Sequence, residues 1–131
     1  MLNRNKGLPD RTDFSLAKKY FLRKTSEYQV VYQRGRRLRG KYFSLIYLPN
    51  NRDVNRLGIS IHGVKKAVQR NRIKRVIREF FRLNRHFISP QADIVFAVRK
   101  EFSINSPDEM ERTVKNLLDR QRKRESDRTA C

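Results

Sequence analysis

Residues 70–85 read RNRIKRVIREFFRLNR, and two patterns run through them at once. Ile73, Val76, Ile77, Phe80 and Phe81 fall at i, i+3, i+4, i+7 and i+8, the spacing of a single apolar stripe along an α-helix. Asn71, Arg75, Arg78, Arg82 and Arg85 recur at spacings of four and three, which sets them along the opposite side in a line about 20 Å long. Glu79 is the one acid in the stretch and is placed to pair with Arg75 or Arg82. The spacing predicts a helix over 68–85, apolar inside and basic outside.

The neighbours of this helix read as strands. Before it, residues 57–61 alternate large apolar side chains with Gly58 and Ser60, the pattern of a half-buried strand. The loop 62–66 contains Gly63, Lys65 and Lys66. After it, Ser89-Pro90 breaks the chain and residues 93–98 (DIVFAV) read as a short buried strand. Ser106-Pro107-Asp108-Glu109 is a capping box with proline at the first helical position. Met110, Val114, Leu117 and Leu118 then carry a final helix. Upstream, residues 42–48 (YFSLIYL) have strand composition and end in Pro49-Asn50-Asn51. Residues 26–34 form a first helix, with Thr25 as N-cap and Gly35 at C′. The order is α-β-β-α-β-α with a minor extra strand around Leu38, an α+β fold. One domain spans 14–125. Residues 1–13 read as a flexible basic arm. The charged tail frays from Arg120, with 126–131 disordered.

Composition narrows the partner. The chain has 131 residues, 32 Lys+Arg against 13 Asp+Glu, and a net charge of +19. Such a fold repels itself until an anion covers it. Charged residues reach 34%, above the typical quarter. A membrane reading needs a run of about 18 apolar residues, and the longest runs are strand-sized, at 45–48 and 94–98. Residues 1–11 contain no hydrophobic stretch of the signal-peptide kind. Cys131 is the sole cysteine and excludes an intramolecular disulfide. These features predict a cytoplasmic nucleic-acid binder.

The helix 68–85 is the natural binding face. Solubility does not require charges of one sign, and mixed Glu/Lys pairs would stabilise the helix better. Seven Lys/Arg within residues 70–85 cost intrahelical repulsion that phosphates would relieve. Six of the seven are arginine, whose forked donor grips phosphate oxygens in pairs. No acid–base or zinc-ligand constellation accompanies them: His62 and His86 sit in different elements, and each reads as a surface or RNA-contacting residue. Asp93 and Glu79 could touch hydrated Mg²⁺ shared with RNA.

The string Arg70-Asn71-Arg72-x-Lys74-Arg75-x-x-Arg78-Glu79-Phe80 resembles the signature of the bacterial ribonuclease P protein subunit family. Leu57-Gly58-Ile59-Ser60 is similar to the family strand before it, residues 93–100 (DIVFAVRK) to the strand after it, and Glu27-Tyr28-x-x-x-Tyr32-x-x-Gly35 to the first helix. The resemblance covers roughly residues 22–118. One departure is visible: the family places a Lys-Lys pair soon after the second long strand, where this chain has His62-Gly63, with Lys65-Lys66 nearer the helix.

The resemblance implies a compact sandwich of a four-stranded mixed sheet and helices, similar to a domain of a small-subunit ribosomal protein. It also implies a left-handed βαβ crossover, against the right-handed default of about 98%. It implies a protein without catalytic residues of its own, monomeric in a 1:1 complex with the catalytic RNA, which cleaves the 5′ leader from precursor tRNA with Mg²⁺ bound mainly by the RNA. Lys65, Lys66, Arg70, Asn71, Arg72, Lys74, Arg75, Arg78 and Arg82 would meet the catalytic RNA. Tyr28, Tyr32 and Ile46 would line a cleft for the single-stranded leader, Ile46 standing where the family has a tyrosine. For Tyr28 and Tyr32 the alternative is that both rings belong to the core. A structural RNA-binding protein and an independent nuclease are the rival functions, separable by the RNA captured and by nuclease assay of RNA-free protein.

Overall fold

The computed structural model describes residues 18–130, with side chains through residue 123. The expected arm 1–13 and Cys131 lie outside the described residues. A 3-10 turn, Lys18–Tyr20, leads into helix α1 (Thr25–Arg34). Strands β1 (Arg36–Arg39), β2 (Phe43–Pro49) and β3 (Arg56–Ile61) follow, then α2 (Ala67–Leu83), β4 (Ala92–Val98) and α3 (Pro107–Ala130). The strands form one sheet in the order β1-β2-β4-β3. β1 pairs antiparallel with β2 and β2 with β4, whereas β3 runs parallel to β4. β3, α2 and β4 therefore make the expected βαβ unit. The extra strand around Leu38 is real: it is the edge strand β1.

Alternation along the strands sorts the core into two sides. Phe43 and Leu45 of β2, Leu57 of β3, and Ile94 and Phe96 of β4 face one way. They meet the predicted stripe of α2, with Ile73, Val76, Ile77, Phe80 and Phe81 all buried, and Met110, Val114 and Leu117 of α3. Ile46 and Val95 face the other way and meet Val31 of α1 and Leu22. α1 thus covers one face of the sheet alone, and α2 with α3 covers the other. Tyr42 precedes β2 rather than belonging to it, and Tyr42 and Tyr47 both pack against the α2/α3 side.

Two boundaries and the role of one glycine differ from the sequence reading for physical reasons. α2 ends at Leu83, because the Asn84 backbone N–H bonds back to Phe80 and Phe81 and its side-chain amide donates to Phe80 O at 3.0 Å. α3 is helical through Ala130 where disorder is expected from 126. Beyond Pro107 its sequence has no glycine or proline, and charge alone does not stop a helix. Gly35 is needed for space rather than handedness: its φ is −78°, and a Cβ there would lie 2.5 Å from Val31 O and 2.9 Å from Tyr47 O.

One buried polar side chain ties the fold together. Asn55 donates to the carbonyls of Arg85 (2.7 Å) and Ile88 (3.2 Å) and accepts from the Ala92 N–H (2.7 Å). The irregular stretch after α2 has no ladder for its backbone groups, and Asn55 substitutes for one.

Candidate nucleic-acid interface

The basic face begins before α2. Gly63 turns the chain at φ +81°, a conformation other residues adopt with strain, and leads to exposed Lys65 and Lys66. Lys66 occupies the N-cap position without capping, and the first turn holds no acid. A helix start that gathers cations and leaves its N–H groups uncapped opposes its own dipole, and an incoming phosphate would relieve both defects.

Asn71, Arg75 and Arg78 are exposed along α2 opposite the buried stripe, and Arg70 and Arg72 are exposed in its first two turns. Arg82 is only half-exposed and pairs with Glu79, so this pair closes the line. Arg85 lies beyond the helix, its guanidinium 5.0 Å from the centre of the Tyr20 ring. The open basic line is therefore shorter than the sequence indicates. Lys74 is set apart from it: half-buried, it lines a depression of about 260 Å³ together with Arg78, Phe21, Leu22, Tyr28, Leu57 and Ile59.

That depression joins the two predicted sites at the edge of the sheet. Tyr28 leans from α1 over β3, where Gly58 gives it room; a Cβ at Gly58 would lie 2.8 Å from the tyrosine ring. Burial raises the Tyr28 phenol above its usual pKa, an effect partly opposed by a hydrogen bond with the backbone of Ile59. Both tyrosines pack against the smaller core cluster while staying partly exposed. The Arg37 guanidinium lies 5.8 Å from the Tyr32 ring centre. Ile46 does not belong to a cleft surface. It is 0% exposed beneath α1, because even-numbered residues of β2 point at that helix, and it offers a ligand nothing to touch.

A second feature escaped the sequence reading. Arg56 donates two hydrogen bonds to Asp93, both 2.8 Å, and a third to Glu27 at 2.9 Å. Asn50 adds a donor to Asp93 at 2.9 Å. The cluster pins α1, and Tyr28 with it, to β3 and β4. Glu27 also accepts from the backbone N–H groups of Lys24 and Arg23. These backbone bonds, with Arg56 assisting, lower its pKa to about 2. The Arg56 guanidinium is held even more firmly protonated than usual, chiefly by Asp93.

The ribonuclease P family model matches residues 16–122. The chain belongs to the ribonuclease P protein family. It is 51% identical over 79% of its length to the ribonuclease P protein component of Desulfotalea psychrophila, covering 88% of that protein. With the Clostridium kluyveri protein component it shares 40% over 76% of its length and 91% of the relative. The fold matches the Thermotoga maritima RNase P protein with a TM-score of 0.59 at 34% identity, covering 79% of this chain and 96% of that one. For the Staphylococcus aureus RNase P protein the TM-score is 0.63 at 28% identity, covering 76% and 93%. Family membership makes the chain the protein subunit of a ribonucleoprotein endoribonuclease that processes tRNA 5′ leaders with an RNA subunit.

Among the described residues no helix is long and apolar enough to cross a membrane. The carboxylates considered for Mg²⁺ do not fit a cation. Asp93 is held by Arg56 and Asn50, and Glu79 by Arg82.

Proposed function

We propose that α2 and the loop before it bind the ribonuclease P RNA while the cleft beside Tyr28 and Tyr32 receives the single-stranded 5′ leader of precursor tRNA. The observation carrying this reading is that Tyr28 lines the same depression as Lys74 and Arg78. A strand leaving the catalytic RNA at the basic helix would reach a stacking ring without crossing solvent. Stacking on an aromatic ring tolerates any base and contributes about 1–3 kcal/mol, which suits leaders of unrelated sequence. The arginine line positions the RNA through phosphates and reads no bases.

In this reading Mg²⁺ is bound by the RNA subunit, the protein acts as a monomer in a 1:1 complex, and the particle works in the cytoplasm. Reconstitution tests the proposal. Rigorously RNA-free protein should leave precursor tRNA intact, and adding the RNA subunit should give 5′ cleavage at low Mg²⁺. Cleavage by the protein alone, or a protein that leaves the RNA's activity at low Mg²⁺ unchanged, would overturn it.

A further inference from the structure

On the far side of Phe21 from Tyr28 lies a larger depression, about 610 Å³. Its rim carries Lys18, Lys19, Arg23, Lys24 and Arg52, all exposed. Glu27 and Arg56 also line it, but these two are committed to each other and to Asp93. Among the described residues no acidic side chain pairs with any of the five rim cations. The start of α1 contributes little on its own, since the Arg23 and Lys24 N–H groups are already taken by Glu27. The site rests on side-chain charge around a cavity.

Its position is fixed by the fold. Phe21 pairs with Leu57 as an added rung on the free edge of β3, and the Leu22 N–H donates to Leu57 O at 2.9 Å. Phe21 lines both depressions, which therefore adjoin at its side chain. Basic helix, tyrosine, phenylalanine and basin thus follow one another around a single sheet edge.

We infer that the basin is a second phosphate site, which takes backbone phosphates of the leader farthest from the cleavage point. The inference rests on the proposed leader cleft. The leader's 3′ end starts at the catalytic RNA beside α2, its next bases stack at Tyr28, and the strand continues over Phe21 into the basin. Short leaders end before reaching it. Long ones gain a group of cations that acts on charge and not on base identity.

The test uses holoenzyme with precursor tRNAs of graded leader length, comparing wild type with the Arg23→Gln/Lys24→Gln/Arg52→Gln protein. Wild type should gain affinity in a second step as the leader lengthens. The triple variant should lose that step, roughly ten-fold, and its salt dependence on long leaders should shallow by about two units in log K against log salt, from ~0.7 per cation on a single strand. Leaderless and short-leader substrates should bind as before. Neutral methylphosphonate linkages in the 5′ part of a long leader should reproduce the loss with wild-type protein. Equal binding by variant and wild type at every length overturns the basin. So does equal weakening on leaderless tRNA, which would assign these cations to the RNA subunit. Tyr28→Ala run alongside separates the two ideas. If it weakens leader binding while the triple variant does not, only the basin fails. If it shows no leader dependence, the cleft reading fails and takes the basin with it.

Discussion

Tyr28 is held by a residue thirty positions away that has no side chain. Gly58 leaves the gap that the ring fills, and the approach is so close that even a methyl group there collides with the ring. Gly58→Ala and Tyr28→Ala should therefore weaken long-leader substrates more than leaderless tRNA, by about 1–3 kcal/mol for the lost ring. Competition binding on the holoenzyme measures this, and equal losses on both substrates would mark the ring as core only. Glu27 makes a separate prediction. Its folded pKa of about 2 lies below the ordinary 4.5, so its contribution is fully present above pH 4.5 and is lost as pH falls toward 2. Glu27→Gln should destabilise the protein on the order of 2 kcal/mol at neutral pH. Urea midpoints of the two proteins should converge between pH 5 and 2, and a constant offset across that range would contradict the assignment. The role of Gly58 is hidden in the sequence because its partner lies on another element. Ile46 was misplaced for a related reason: strand parity tells which residues share a face, but not that α1 seals that face completely.

α2 is the element that the sequence describes best. Five apolar positions at helical spacing are all buried, since a stripe of that width has one stable place, against a sheet. The ends of elements were harder. α2 stops two residues early through Asn84, and α3 runs on through a charged stretch that composition alone reads as tail. The Asn55 contacts were equally hidden: a single asparagine in a turn-rich segment gives no sign that it will satisfy three backbone groups. Asn55→Ala should strand those groups in a buried setting and cost about 2–3 kcal/mol. Because the carbonyls it holds follow the basic helix directly, hydrogen exchange at residues 84–91 should rise more than in the sheet. Uniform acceleration across the protein would argue against a local role.

For the whole molecule, charge is the dominant fact. Ion pairs join Arg56 to Glu27 and Asp93 and Arg82 to Glu79, but every acid is already counted in the net charge, so the whole +19 is left without an internal counter-charge. The exposed line on α2 concentrates part of that excess where the fold needs none of it: Arg75 and Arg78 point away from the Ile73–Phe81 stripe and support no packing. Their replacement by alanine should leave stability nearly unchanged, since alanine has slightly higher helix propensity. If their purpose is to hold phosphates of the structured RNA subunit, binding releases counterions, and each arginine removed flattens the dependence of log K on log salt by about 0.9. The most direct measurement is a salt titration of RNA-subunit binding by wild type and by Arg75→Ala/Arg78→Ala. A phosphate-binding face gives the variant a slope shallower by nearly two units, from about 0.9 per arginine, and weaker binding at low salt; parallel slopes with unchanged affinity would show that this face is merely solvated.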